Sequence, residues 1–481
     1  MNICSARAVF GKNRKYAVFF IVSLALLMSS ANSTIVVTAL PTIQRSLKAD
    51  LSWTAWVITG YQLMSLTLLP IMGRISDQWG RKRVFLGSVA VFTISSMLCA
   101  LSVNIYSLIL FRFLQAAGGS CFMPSAMGIV GDNFAENRAR AIGLFTSIFP
   151  FGGIIGPALG GWILDFAPWQ AIFLVNIPIG VLILVLTYFI LETDSMVHHA
   201  GIDLAGIGLF AGSVLCVMYF FTRLSENPQA LYSWLTWAVM VLGALLLWVF
   251  LRWESKTASP VMELSLLKNK TFAIINGLNL LYGACIFGLM AFIPYYAQLA
   301  YGLSNLASGS MLTAQALGMI IMSAATSMLL SRFGYRIPMA AGFFILGLST
   351  MGLYFFHQPP VILGFNIGEF WWMAAVIFVS GIGIGLSSPS SNNAAIELMP
   401  EKIAEISGLR GMFRQTGGVV GTSVIVLSLS RFQDKTAGFH AIFLVMGVLL
   451  IAAIPFIRGV PDGRGASPLI LPGGPGKKEQ M

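Results

Sequence analysis

Apolar residues in this chain gather in long unbroken stretches, not at every second position or on one helical face. Fourteen stretches can be laid out, at about 16–40, 53–72, 84–104, 105–130, 141–164, 171–191, 203–222, 232–251, 271–297, 306–330, 338–356, 371–391, 409–429 and 438–458. Each is long enough to cross about 30 Å of hydrocarbon as an α-helix. A strand with one buried face would alternate, and a surface helix would keep a polar face. The third and fourth stretches are nearly continuous, and Asn104 marks the turn between them. The pattern predicts an all-α polytopic membrane protein with 14 transmembrane helices.

Composition agrees and removes alternatives. Of 481 residues, 57% are hydrophobic and 10% charged, against about 45–50% and about 25% in soluble proteins. So few charges cannot coat a soluble body of this size. That excludes an ordinary cytosolic enzyme, a disordered chain and a coiled coil. The net charge of +11 is read as an orientation signal, because basic residues collect in cytoplasmic loops. With the N-terminus inside, twenty-three of the 29 lysines and arginines fall in inner segments, Arg410 and Arg414 among them. Five fall in outer segments, and Arg112 alone is counted well inside a stretch, Arg410, Arg414 and Arg458 being assigned to the inner ends of theirs. The layout predicts a plasma-membrane protein (in bacteria, of the inner membrane) with both termini cytoplasmic, and no nucleic-acid partner is expected. Arg7, Lys12, Arg14 and Lys15 precede a first stretch that is too long for a signal peptide. The five cysteines show no metal spacing, only four histidines occur, and no GxxxxGK pattern is present. No metal or cofactor is expected, and a membrane-embedded enzyme is disfavoured.

The chain repeats itself. Residues 118–156 align without gaps on 383–421, with ten identities that include Gly118/Gly383, Gly152/Gly417, Gly153/Gly418 and Gly156/Gly421. The matched units lie eight helices apart, so they run in the same direction. Two parallel halves with a substrate site between them is a transporter plan. The predicted organisation is a cytoplasmic arm (1–15), a six-helix bundle (16–191), two inserted helices (192–252), a cytoplasmic linker (253–270), a second six-helix bundle (271–458) and a flexible tail (459–481). A weaker echo pairs Trp79-Gly80-Arg81 with Phe333-Gly334-Tyr335.

Three local patterns carry the candidate chemistry. Gly73-Arg74-Ile75-Ser76-Asp77-Gln78-Trp79-Gly80-Arg81-Lys82-Arg83 is expected as a cytoplasmic loop. There Gly73 and Gly80 permit close approach, and Asp77 and Arg81 can latch a neighbouring helix. Arg112 and Gln115 share a helix face, and an arginine in hydrocarbon needs a cavity or a partner. Gly152, Gly156, Pro157 and Gly160 make a smooth, kinkable helix suited to a joint between halves.

Together these three patterns resemble motifs A, B and C of the major facilitator superfamily. Ala31–Ile43 and Trp169–Gly180 are similar to the fourteen-helix drug:proton antiporter family, the EmrB/QacA type. The resemblance implies two six-helix bundles plus two inserted helices. It also implies secondary active export of small lipophilic compounds, of the multidrug type, by alternating access driven by protons. In a two-membrane bacterium it implies a periplasmic adaptor and an outer-membrane channel. The transport unit is expected to be one chain.

The family pattern has an Asp where this chain has Asn32, and all eighteen acids fall in loops or at helix ends. Arg112, Asp165, Glu397 and His440 are the proton-coupling candidates. Neutral, zwitterionic or anionic lipophilic substrates are favoured over cations. The expected substrate path is polar and uncharged apart from Arg112: Asn32, Ser33, Tyr61, Gln62, Arg112, Gln115, Asn276, Asn279, Gln315 and Asn392. The alternative is a facilitator, or a dedicated metabolite, lipid or siderophore exporter, with weak or no proton coupling.

Overall fold

A computed structural model describes residues 13–134, 141, 144–145, 148–192, 203–257, 268–355, 361–362, 365–366, 368–398 and 403–462. Most of the N-terminal arm and tail and part of the linker lie outside these residues, as do the side chains of Asp77 and Phe149.

The first half comprises α1 (Arg14–Leu47), α2 (Leu51–Trp79), α3 (Arg81–Ala100), α4 (Ile105–Gly119), α5 (Phe122–Asn133), α6 (Ile148–Phe166), α7 (Ala171–Leu174) and α8 (Asn176–Ile190). The hairpin α9 (Leu204–Glu226) and α10 (Trp234–Glu254) follows. The second half comprises α11 (Lys270–Gly283), α12 (Ile293–Tyr301), α13 (Asn305–Phe333), α14 (Arg336–Phe355), α15 (Glu369–Glu397), α16 (Ile403–Ser430) and α17 (Lys435–Ala452). A two-residue antiparallel pair, β1 (Val361–Ile362) with β2 (Phe365–Asn366), joins α14 to α15. As far as they are described, all fourteen apolar stretches fall on helices. Among the described residues, eleven helical spans are long and apolar enough to cross a bilayer by composition and length alone. The protein is an all-α multi-pass membrane protein.

Local chemistry explains the boundaries. Asn104 caps α4, accepting from Ser107 N at 2.8 Å, and so makes the turn between the third and fourth stretches. The expected loop at Gly73–Arg83 is not a loop. α2 continues through Asp77 to Trp79, and α3 begins at Arg81. Gly80 alone makes the turn, at φ 90°, a conformation that only glycine enters cheaply. Gly334 does the same between α13 and α14, at φ 68°, so the weak sequence echo corresponds to a shared one-glycine turn. α11 passes into a π turn at Ala284–Leu289 and a 3-10 turn at Met290–Phe292. Pro294 in the next turn lacks an N–H and crowds the preceding carbonyls, which breaks the regular ladder.

Three of the glycine pairs shared by the two repeats pack in corresponding places. A methyl group added at Gly118 would meet Phe92 N of α3 at 2.6 Å, and one at Gly383 would meet Gly342 O of α14 at 2.8 Å. Gly152 and Gly156 abut Ser30 and Thr34 of α1; Gly417 and Gly421 abut Leu280 of α11 and Ala284 just beyond it. Where no hydrophobic effect separates helix from lipid, such close backbone approach is a main source of association.

The halves meet at one end, where α1 finishes at Leu47. Thr313 Oγ1 donates to Ile154 O at 2.7 Å, Thr42 Oγ1 to Asn305 Oδ1 at 3.4 Å, and Asn305 Nδ2 to Asp165 Oδ1 at 3.3 Å. The α9–α10 hairpin leans on this seam: Trp56 Nε1 donates to Thr222 Oγ1 at 2.8 Å, and Arg431 reaches Leu224 O at 3.3 Å. Among the described residues, the hydrogen bonds that link the two halves run from this end to mid-helix.

The glycine contacts yield a paired test. A methyl at Gly156 would lie 2.0 Å from Thr34 Oγ1 and 2.8 Å from Ala31 O, whereas one at Gly153 meets nothing within 4 Å. Gly156→Ala is expected to destabilise by about 1–3 kcal/mol, as overpacking does. Gly153→Ala is expected to be neutral or slightly stabilising, because alanine favours the helix by up to about 1 kcal/mol. Thermal unfolding midpoints of the purified variants check the contrast; equal shifts would contradict it.

Candidate functional site

Two polar regions lie inside the helical body, one in each half. The first surrounds Arg112, which is 1% exposed. Its Nε donates to Val57 O at 3.1 Å, and Nη1 donates to Gln115 Oε1. Its guanidinium lies 4.1 Å from the Tyr61 ring centroid, a cation–π contact. Gln115 Nε2 then donates to Ser96 Oγ at 2.7 Å and to Asn32 Oδ1 at 3.4 Å. Asn32 Oδ1 also accepts from Asn176 Nδ2 at 2.9 Å. The network draws on α1, α2, α3, α4 and α8, five helices of one bundle. Asn32, Ser96, Gln115 and Asn176 are all buried. Among the described residues no carboxylate pairs with Arg112.

The second region is a cavity of about 230 Å³ lined entirely by the second half. Asn279 and Tyr282 of α11, Ser387, Ser391 and Asn392 of α15, and Arg410 and Arg414 of α16 supply its polar wall. Arg410 Nη2 donates to Ser391 Oγ at 2.9 Å, and Asn279 Nδ2 donates to Arg410 O at 2.6 Å. Tyr282 OH reaches Ile384 O at 3.3 Å. Arg410 Nη1 and Arg414 Nε are buried with no hydrogen-bond partner. The Arg414 guanidinium lies 5.5 Å from the Phe287 ring centroid, in the π turn.

These two arginines correct the sequence reading, which counted them as cytoplasmic. α16 starts at Ile403, six residues before the predicted start. Arg410 therefore lies about 10 Å along the helix at 1.5 Å per residue, with Arg414 one turn deeper on the same face. The i, i+4 spacing next to Gly411 and the repeat glycines was the available signal. Ser96, Asn176 and Ser391 also escaped notice, since single small polar residues in apolar stretches are usually helix-packing contacts.

The expected substrate path divides between these regions. Asn32, Tyr61, Arg112 and Gln115 are sealed inside the first bundle, while Asn279 and Asn392 line the cavity. The rest go elsewhere. Ser33 Oγ bonds Ser30 O of its own helix at 2.7 Å, and Asn276 Nδ2 bonds Phe272 O at 2.9 Å. Gln315 Nε2 bonds Ser380 Oγ at 3.2 Å, and Gln62 Oε1 is buried without a partner.

Of the gating and hinge candidates, Arg81 donates to Gly128 O at 2.9 Å and pairs with Asp132. The α2–α3 corner is thus tied to α5. Gly73 lies on α2 and Gly80 makes the turn. Gly152, Gly156 and Gly160 face α1 of their own bundle, not the opposite half. The contact across the halves comes from the Pro157 carbonyl, against which Gly309 packs, and from Gly161, against Asn305 and Leu306. Small size serves close packing in both directions.

Among the proton-coupling candidates, Asp165 is exposed at the seam, bonded by Asn305. Glu397 sits at the end of α15 beside Tyr335. Burial, with Glu397 adding to it, pushes the Tyr335 hydroxyl up to about 12, so it stays protonated next to the carboxyl. His440 Nε2 lies 2.8 Å from Tyr296 OH.

The first network makes an asymmetric prediction. Gln115→Leu removes an acceptor from a buried charge and should cost about 3 kcal/mol, the upper end for hydrogen bonds to charged groups. Arg112→Met removes the charge and leaves only neutral groups, so it should cost about 1 kcal/mol. Thermal unfolding of both variants and the double variant checks this; a larger loss for Arg112→Met would contradict it.

Comparison with known proteins follows the same lines. The Major Facilitator Superfamily profile matches residues 22–422, and again 280–473. The multidrug transporter protein MdtP of Bacillus subtilis is 30% identical over 414 residues, 84% of this chain and 73% of that one. The tetracenomycin C resistance and export protein of Streptomyces glaucescens is 28% identical, over 89% of this chain and 79% of its own. The riboflavin transporter RibZ of Clostridioides difficile is 27% identical, over 89% and 92%. A crystal structure of a peptide transporter in complex with sulfate shares the fold, with a TM-score of 0.65 at 16% identity over 96% of this chain and 99% of that one. The chain belongs to the Major Facilitator Superfamily, and multidrug and antibiotic-resistance transporters are among its relatives.

Proposed function

We propose that the protein exports small lipophilic compounds across a plasma membrane by alternating access, with proton antiport supplying the driving force. The observation that carries this reading is the geometry of the seam. The halves hold together from the Leu47 end to mid-helix, through Thr313, Asn305 and Asp165. The polar cavity lies towards the opposite end, where Gly80 and Gly334 turn. With the N-terminus inside, that is a cavity on the cytoplasmic side with the outer seam shut. The names of the multidrug and tetracenomycin C relatives point to export. In a two-membrane bacterium, a periplasmic adaptor and an outer-membrane channel would receive the substrate.

Proton release and uptake need a group that changes charge. Asp165, bonded by Asn305 of the other half, is the candidate whose hydrogen bond would change if the outer seam opened, and His440, bonded to Tyr296 within the second half, is the other candidate. A second reading is favoured by one specific observation: Asn32, where the resembled family pattern carries an Asp, is a non-titrating amide bonded to Gln115 and Asn176. On that reading the protein is a facilitator or a dedicated metabolite exporter. The riboflavin relative shows that such substrates occur among similar chains.

Transport into proteoliposomes decides between them. Antiport predicts uptake of a lipophilic fluorescent substrate at least tenfold faster into acid-inside vesicles, lost on adding a protonophore. Rates independent of the gradient would overturn antiport and leave the facilitator. Asp165→Asn and His440→Gln should each slow the gradient-driven rate if they carry the proton; unchanged rates in both would remove them.

A further inference from the structure

The geometry points to an oxyanion-binding site in the second half, formed by Arg410 and Arg414 with Ser391, Asn279 and Tyr282, that seats a carboxylate, sulfonate or phosphate group of a small amphiphilic molecule. As the seat of a transported solute, it rests on the export reading above.

Four observations carry it. The two guanidiniums stand one turn apart on one face of α16 and line the same cavity. Each has a buried N–H without a protein acceptor, Arg410 Nη1 and Arg414 Nε. No residue lining the cavity is acidic, so within that wall the positive charge has no internal counter-ion. The nearby polar groups are mainly donors or hydroxyls that can donate. Buried charge with spare donors in a membrane needs an acceptor, and two guanidinium forks match the planar or tetrahedral oxygens of an oxyanion. Arg112 provides the contrast: its Nε and Nη1 donate to Val57 O and Gln115 Oε1, and a tyrosine ring covers it.

Size limits the occupant. About 230 Å³ is below the roughly 300–1,000 Å³ that encloses a drug-sized ligand. The cavity therefore holds the acidic end, or a small aromatic acid, while a larger apolar body would extend past Phe343 and Tyr282, which stack at 6.3 Å between centroids. The π turn at Ala284–Leu289 lies against α16 near Arg414, with Gly283 close to Arg414 O. A shift of that turn would change the cavity wall.

Binding is measured without transport, so its failure leaves export standing, and a failure of export leaves binding measurable. The purified full-length protein in neutral phosphatidylcholine nanodiscs is titrated with 1-naphthoate, its neutral amide 1-naphthamide, and 1-naphthylmethylammonium, by calorimetry. The site predicts at least tenfold tighter binding of naphthoate than of the amide, and the cation weakest. Arg410→Gln and Arg414→Gln should each remove most of that preference while changing amide binding less than twofold. If Arg410→Gln does not fold, Arg414→Gln and Ser391→Ala carry the test, the latter weakening naphthoate several-fold. No preference for the acid, or a preference that survives Arg414→Gln, would overturn the site. Repeating the titration with phosphatidylglycerol in the nanodisc separates the two sources of oxyanion. Unchanged naphthoate affinity supports a solute site. Loss of affinity in the wild type alone supports the same site with a lipid headgroup as its occupant.

Discussion

A guanidinium in hydrocarbon must be surrounded by acceptors, and that constraint shapes the first bundle. Arg112 takes a backbone carbonyl from α2 and the side chain of Gln115, which passes the requirement on to Ser96 of α3, Asn32 of α1 and, through Asn32, Asn176 of α8. Five helices are held to one arrangement by one charge. A buried polar network that is nearly complete rigidifies what it joins. Such a bundle is suited to moving as one body, and Asn32 joins it as an amide that accepts from both Gln115 and Asn176.

The second half solves the same problem differently. Arg410 and Arg414 keep donors unspent toward a cavity, and the Arg414 guanidinium rests near the Phe287 ring of a π turn. One bundle is thus closed around its charge and the other is open toward a ligand. Close glycine contacts fix helix pairs in each, Gly152 and Gly156 on α1, Gly417 on Leu280 and Gly421 on Ala284. The bundles meet along two helix pairs, α6 with α13 and α2 with α16, and hydrogen bonds from Thr313 and Asn305 cross the first of these. A joint confined to a few helices, with each bundle packed separately, suits rocking of one bundle against the other.

Much of this was legible in the sequence, for physical reasons. A twenty-residue apolar stretch has few alternatives to a helix in lipid, so the fourteen helices and the Asn104 turn followed directly. The gapless repeat exposed shared glycines, and at Gly118, Gly152 and Gly156 with Gly383, Gly417 and Gly421 close packing leaves no room for a side chain. Arg112 stood out because it is a lone charge well inside a span. Less legible were features set by three-dimensional context. Gly80 carries a whole turn, so the motif around Asp77 is helix where a loop was expected. Arg410 and Arg414 sit near a predicted boundary, where a shift of six residues turns an orientation signal into a buried charge. Which face Gly152, Gly156 and Gly160 present depends on the neighbour, and periodicity could not distinguish α1 from the opposite half.

The central claim is that two internally rigid bundles rearrange about the Leu47-end seam. The most direct measurement is spin-label distances on a background without the native cysteines. One pair joins the bundles at the seam end (Lys48 with Leu306), one at the opposite end (Tyr16 with Phe333), and one lies within the first bundle (Tyr16 with Tyr188), all at exposed positions. Under turnover the account predicts a second population, with the seam pair longer, the opposite pair shorter and the within-bundle pair unchanged. A change confined to the within-bundle distance, with both cross-bundle distances fixed, would contradict it.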